Sequence, residues 1–232
     1  MPTIAENIML IRSRIEKAAR RAGRDPAQIK LVAATKDVPV SLIEEAVKAG
    51  ITDIGENRVQ EARQKFDQLK QLPVTLHMIG HMQTNKVKTA LEMFSVIQSV
   101  DSERLADEIS GKAQKTIDIF IEVNTSGEES KFGVFPDKAI ELARHISVSN
   151  NLRLTGLMTV GPLTNKEADI RKSFRSLADL FDQIKGLNLP GVELKYLSMG
   201  MSDDFELAIE EGSNLVRIGR AIFGIEHKRA SI

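Results

Sequence analysis

Leu31-Val32-Ala33-Ala34-Thr35-Lys36-Asp37-Val38-Pro39 is a short apolar run that ends on a lysine and is closed by a proline. Four consecutive apolar residues between Lys30 and the turn-forming Asp37 to Pro39 read as a strand buried on both faces. Alternation puts Val32, Ala34 and Lys36 on one face and Leu31, Ala33 and Thr35 on the other. Lys36 therefore sits at the carboxyl end of a buried strand, beside small side chains that leave it room. By itself such a lysine is either an end-of-strand charge reaching back to water or a nucleophilic amine.

Outward from this strand the pattern repeats. Before it, Ile4, Ile8, Ile11, Ile15, Ala18, Ala19 and Ala22 recur at helical spacing, giving an amphipathic helix that stops near Gly23. After it, Val40, Ile43, Ala46 and Val47 mark a helix closed by Gly50. Strand and helix then alternate: Ile51 to Gly55 with Val59 to Leu72, Val74 to Gly80 with Asn85 to Met93, and Phe94 to Val100 with a helix capped by Asp101 or Ser102. Ile117 to Val123 precedes a helix started by Pro136, Leu152 to Val160 precedes a long helix from Lys166 to Ile184, and Val192 to Leu197 precedes a short helix at Phe205 to Ile209. Leu215 to Ile218 is the eighth strand. Successive βα units with no linker and no change of composition predict an α/β fold, a single (β/α)8 TIM barrel with an extra N-terminal helix, formed by residues 1–232 as one domain. An open doubly wound sheet would need a reversal of winding direction and usually fewer strands.

Composition limits the function classes. The 232 residues carry 32 basic and 32 acidic side chains, so no basic field points to nucleic acid or an anionic membrane. No cysteine is present, which removes disulfides, thiol catalysis and thiolate metal sites and fits a reducing compartment. No apolar run approaches the ~20 residues that span a bilayer, and the first residues lack a basic segment leading into an apolar one. The expectation is a cytoplasmic protein.

In a barrel of this kind the site lies at the carboxyl ends of the strands, with phosphate near strands seven and eight. Those ends are polar here: Thr35-Lys36, Gly55-Glu56-Asn57-Arg58, Gly80-His81-Met82-Gln83, Asn124-Thr125-Ser126-Gly127, Ser198-Met199-Gly200-Met201-Ser202 and Arg217-Ile218-Gly219-Arg220. Alternation turns Leu215, Arg217 and Gly219 inward, and an inward guanidinium needs a carboxylate, an anion or a ring nitrogen. Ser198 and Ser202 offer hydroxyls around Gly200, and Gly219 lets a ligand approach the amides of Gly219 and Arg220. The alternative reading of both segments is an ordinary strand-to-helix turn, which also uses Gly and Ser.

These residues carry a resemblance. Val32 to Lys36, Ile54-Gly55-Glu56-Asn57-Arg58-Val59-Gln60-Glu61, His77-Met78-Ile79-Gly80-His81-Met82-Gln83-Thr84-Asn85-Lys86, Glu122-Val123-Asn124 through Lys131-Phe132-Gly133, Gly156-Leu157-Met158, Leu197 to Asp204 and Arg217 to Gly224 follow one another from residue 32 to 224. In this the chain resembles the pyridoxal-phosphate homeostasis family, also called the YggS or PROSC family, which is similar to the amino-terminal barrel of alanine racemase. The resemblance implies that Lys36 forms a Schiff base with pyridoxal 5′-phosphate and that Arg217 faces the pyridine nitrogen. It also implies that Ser198, Gly219 and Arg220 hold the phosphate, with Asn57, Met199 and Ser202 lining the site. Asp37, beside the lysine, departs from the neutral residue of many relatives.

An arginine opposite the ring nitrogen cannot accept its proton, so the pyridine stays neutral and is a weak electron sink. Alanine racemase shares the arginine but adds a tyrosine base from a further domain and partner subunit, for which the residues up to Ile232 leave no room. The one tyrosine, Tyr196, is expected to be a packing residue. The implied function is supply and homeostasis of the cofactor, by a monomeric or weakly associating protein whose partners are pyridoxal phosphate, amino acids and apo-enzymes. The alternatives are an amino-acid racemase using the same cofactor and a Schiff-base aldolase, which would not need Arg217. His77 and His81, with no cysteine and no acidic residue near them in sequence, are expected in polar roles at the barrel mouth rather than as metal ligands. Glu128, Glu129 and Lys131 read as a solvated loop that the resemblance makes a lid or secondary lysine region. Lys112, Lys115 and His227-Lys228-Arg229 read as solvated charge.

Overall fold

The computed structural model describes residues 2–224, so the expected charged tail at His227-Lys228-Arg229 lies outside the described residues. Eight parallel strands, β1 (Lys30–Ala34), β2 (Asp53–Glu56), β3 (Thr75–Met78), β4 (Val96–Val100), β5 (Ile117–Glu122), β6 (Leu152–Met158), β7 (Val192–Ser198) and β8 (Leu215–Ile218), follow one another in chain order. They close into a barrel when β8 pairs with β1. Between them run α2 (Val40–Lys48), α3 (Val59–Leu69), α4 (Val87–Leu91), α5 (Glu103–Lys112), α6 (Pro136–Ser147), α7 (Glu167–Gly186) and α8 (Phe205–Glu210), with α1 (Ile4–Arg21) before the first strand and α9 (Arg220–Phe223) after the last. The expected (β/α)8 barrel with its extra N-terminal helix is the observed fold. No helix among the described residues is long and apolar enough to cross a membrane.

The alternation read from β1 holds in space. Val32 joins Val96, Phe120, Met158 and Leu215 in a cluster inside the barrel, whereas Leu31 and Ala33 belong to the larger core between strands and helices. On β8, Leu215 faces inward while Val216 and Ile218 meet the helices, which turns Arg217 inward. α1 begins with a capping box in which Thr3 and Glu6 exchange hydrogen bonds. Its Ile4, Ile8, Ile11 and Ile15 are buried, each contributing about 1.5–3 kcal/mol. The helix is tied to α8 and α9 by Asn7 on the Ile222 carbonyl and by Arg14 on Glu206, and the turn after it by Arg24 on the carbonyls of Ile209 and Ser213.

Differences from expectation are at element ends. The helix expected from Asn85 to Met93 is a 3₁₀ turn at Thr84–Lys86 followed by the five-residue α4. The strand expected to reach Gly80 ends at Met78, although Ile79 N still donates to the Glu56 carbonyl. Gly80 itself is pressed on the neighbouring connection, where a β-carbon would lie 2.3 Å from the Asn57 carbonyl oxygen. The helix α9 was not legible, because four residues give no periodicity.

Candidate functional site

Lys36, Asn57, the Ser198 to Ser202 turn and Arg217 to Arg220 fall at the carboxyl ends of four consecutive strands of the closed ring, β7, β8, β1 and β2. Lys36 follows β1 and is part exposed, its Nζ 3.9 Å from Asp37 Oδ2, and Asp37 takes a left-handed backbone with φ of 57° to turn the chain away. Below the lysine the strand end is held from outside the barrel. Lys65 Nζ donates to the Thr35 carbonyl at 3.0 Å and to Glu56 Oε1 at 2.5 Å, and Thr35 Oγ1 donates to the same carboxylate at 2.7 Å. Burial raises the Glu56 carboxyl above the usual range against the pull of Lys65.

Gly219 lies across from β1. A β-carbon there would sit 2.9 Å from the Ala34 carbonyl oxygen, so glycine is required by the approach of the two backbones. Ser202, half-buried on the neighbouring turn, accepts from Ala221 N at 3.3 Å and ties that turn to α9. Gly200 has φ of 96°, and a β-carbon would meet Ala208 Cβ and Phe205 Cα. Met199 is buried and its amide donates to the Leu215 carbonyl, Asn57 is half-buried against Gly80, and the Arg220 side chain leaves the mouth to pair with Asp203.

Arg217 is the buried charge of the site. Its Nη1 donates to Ser198 Oγ at 2.6 Å and its Nη2 to the Thr159 carbonyl at 2.8 Å, with the carboxyl groups of Glu122 and Asp204 near enough to favour its charged form. Burial lowers the guanidinium to about 10, which leaves it charged at neutral pH. Ser198 Oγ donates in turn to Gln98 Oε1 at 2.7 Å. The hydroxyl expected to face a phosphate is thus engaged with Arg217 and Gln98.

Several residues escaped the sequence reading. Glu122, buried with Oε2 lacking a hydrogen-bond partner, is pushed up to about 7 by burial and then by Asp101, against Arg217. His77 and His81 do have acidic partners, contributed by β2 and by the connection after β4: His77 Nε2 lies 3.0 Å from Asp53 Oδ1, and His81 Nδ1 lies 3.3 Å from Asp101 Oδ2. His77 is inside the barrel rather than at its mouth. Lys131 is not solvated either, since its amine bonds to the Gly161 carbonyl at 2.7 Å and to Glu128 at 2.8 Å. Lys112 pairs with Glu108 on the surface. Tyr196 packs on Phe120 inside the barrel, ring centroids 5.7 Å apart, as expected of a packing residue. The available signal was a polar residue inside an otherwise apolar strand, such as Gln98 and Ser99 between Ile97 and Val100.

A model of the alanine racemase N-terminal domain matches residues 7–227. The pyridoxal phosphate homeostasis protein of Aquifex aeolicus is 44% identical over 222 residues, 94% of this chain and 96% of the relative. The chain belongs to the pyridoxal phosphate homeostasis protein family. Another member of the family, from Pseudomonas aeruginosa, is 42% identical over 97% of this chain and 96% of its own. Among solved structures, PipY of Synechococcus elongatus with pyridoxal phosphate bound superimposes with a TM-score of 0.83 at 32% identity, covering 96% of this chain and all of PipY. The residues present here fit that cofactor chemically: an amine at the mouth, a donor-only guanidinium beneath, and at Gly219 a turn without a side chain.

Proposed function

We propose that this protein holds pyridoxal 5′-phosphate at the carboxyl end of its barrel through Lys36 and serves the supply and homeostasis of that cofactor rather than turnover of a substrate. The observation that carries the reading is the packing of Gly219 on Ala34, two residues before Lys36, which puts a primary amine and an open backbone on paired strands of one mouth. The homeostasis proteins of Aquifex aeolicus and Pseudomonas aeruginosa and the cofactor-bound PipY support it.

When bound, the cofactor supplies an aldehyde that amines capture reversibly and a ring that withdraws electrons once its nitrogen is protonated. Lys36 provides the capturing amine. Arg217 is directed at the ring nitrogen, and a guanidinium has only N–H donors, so it leaves that nitrogen an acceptor and delivers no proton to it. Electron withdrawal stays weak, and loss of the α-proton from a bound amino acid is not promoted. Gly219 and Arg220 offer backbone amides to the phosphate, Ser202 its hydroxyl, and Asn57 and Met199 line the site. Ser198 acts from below by holding Arg217. Tyr196, packed on Phe120, is no second base for racemisation. On this reading the chain works as one domain and as a cytoplasmic monomer, with amino acids and apo-enzymes as recipients of the cofactor.

The test joins covalent mapping to isotope exchange. Borohydride reduction of the loaded protein should fix the cofactor on Lys36, and Lys36→Ala should lose that adduct while keeping its fold. L-Alanine added in deuterated water should change the visible spectrum with negligible deuterium at the α-carbon, and an added apo-enzyme should regain activity. Labelling of another lysine would move the site, and rapid exchange with accumulation of the D-enantiomer would replace homeostasis by racemisation.

A further inference from the structure

The barrel interior contains an unbroken hydrogen-bonded file that starts at Arg217. From Arg217 Nη1 it runs to Ser198 Oγ at 2.6 Å, from Ser198 to Gln98 Oε1 at 2.7 Å, from Gln98 Nε2 to His77 Nδ1 at 3.0 Å, and from His77 Nε2 to Asp53 Oδ1 at 3.0 Å. Lys30 Nζ closes the file on the same Asp53 oxygen at 2.9 Å. The five residues from Arg217 to Asp53 are buried, and the file crosses the barrel from β8 and β7 to β4, then returns through β3 and β2 to β1.

Its direction is fixed at both ends. A guanidinium only donates, so the Ser198 hydroxyl accepts from it and gives its own proton to Gln98. Gln98 must then present its carbonyl to Ser198 and its amide to His77. His77 Nδ1 must carry the lone pair, which leaves the imidazole proton on Nε2, facing Asp53. Asp53 only accepts: burial raises its carboxyl, but hydrogen bonds from His77, Lys30 and Thr52 outweigh burial and take it down to about 2. Barrel interiors are commonly filled by branched apolar side chains, and here Val32, Val96, Phe120, Met158 and Leu215 form an apolar cluster inside the same barrel. A buried polar file is worth keeping only when every member is satisfied, as it is here.

We infer that Gln98 and His77 are positioning residues for Arg217, fixing the Ser198 hydroxyl as an acceptor so that the guanidinium is held in one orientation toward the ring nitrogen of the cofactor. The inference rests on the proposed reading that Arg217 faces that nitrogen. Without Gln98, the Ser198 proton has no fixed acceptor and can turn toward the guanidinium, which then loses one of its two anchors. His77 acts one step further away, by giving the Gln98 amide only one satisfied orientation.

The experiment compares pyridoxal phosphate with its 1-deaza analogue, which has carbon in place of the ring nitrogen. The unaltered protein should prefer the nitrogen ring, and Gln98→Leu should weaken pyridoxal phosphate about tenfold while leaving the deaza analogue unchanged. His77→Leu should act in the same direction, and His77→Gln, which keeps one acceptor and one donor, should restore most of the preference. With ring-¹⁵N cofactor, the nitrogen resonance should move in the leucine variants and return in His77→Gln. If Arg217→Leu abolishes the preference while both leucine variants keep it, the inference is overturned and the Arg217 reading stands. If Arg217→Leu itself leaves the preference intact, the reading beneath it fails. Long-range ¹H–¹⁵N correlation on the unaltered, cofactor-free protein decides independently of variant folding: His77 should carry its proton on Nε2, and a proton on Nδ1 would overturn the file.

Discussion

Phe132 lies flat on His81, ring centroids 3.9 Å apart and planes within 9°, so the connection after β5 is fastened to the connection after β3, past the end of β4 between them. Lys131, the preceding residue, fastens the same segment to the Gly161 carbonyl beyond β6. Two contacts thus fasten one connection to its neighbours on either side, although Phe132 itself remains exposed. Phe132→Ala removes a ring stack worth ~1 kcal/mol. Cofactor association and dissociation should both quicken, by about fivefold for that energy, with a smaller change in affinity. Stopped-flow absorbance of pyridoxal phosphate binding would measure it, and unchanged rates would show that this connection does not gate the site.

Gly219 offers a second test, because a side chain there must displace the Ala34 carbonyl or itself. Gly219→Val should weaken pyridoxal phosphate more than unphosphorylated pyridoxal, since each hydrogen bond lost to the charged phosphate is worth ~1.5–3 kcal/mol. Titration with the two ligands reads the difference directly. Equal weakening would place the phosphate elsewhere.

Glu122 makes stability depend on pH in a stated direction. Its carboxyl is raised to about 7 in the folded protein, by burial first and Asp101 second, against an ordinary value of 4.5. Between those values the folded chain holds a proton that the unfolded chain releases, so stability falls as pH rises through this window. The full difference is worth roughly 3 kcal/mol. Urea unfolding of the cofactor-free protein at pH 5 and pH 8 should show the loss, and Glu122→Gln should be relatively more stable at the higher pH.

Lys65 and Glu56 form a buried pair beneath the strand end that carries Lys36. Lys65→Met leaves the Glu56 carboxylate buried without its counter-charge and should cost about 3–5 kcal/mol. Adding Glu56→Gln should recover much of that in urea titrations. Because Lys65 also holds the Thr35 carbonyl, the single variant should label less readily at Lys36 even where it remains folded.

The sequence alone determined the eight-fold alternation, the inward face of β1 and β8, and the clustering of Lys36, Asn57, the Ser198 to Ser202 turn and Arg217 to Arg220 at one end. Those readings depend on local periods of two and 3.6 residues and on the rule that parallel strands present their carboxyl ends together, and both are written along the chain. The tertiary structure decided what those side chains touch. Gln98 meets Ser198 across 100 residues and His77 meets Asp53 across 24, pairings made by closure of the ring rather than by any spacing in the chain. Ser198 is the clearest case: its turn reads as a phosphate cradle from Gly and Ser content, yet its hydroxyl faces a glutamine from the opposite side of the barrel. Lys131 likewise reads as loop charge, and only the fold brings the Gly161 carbonyl to it. Local pattern fixes which face a residue occupies; its partner on that face is set by which strands are brought opposite one another, and that is a property of the closed barrel.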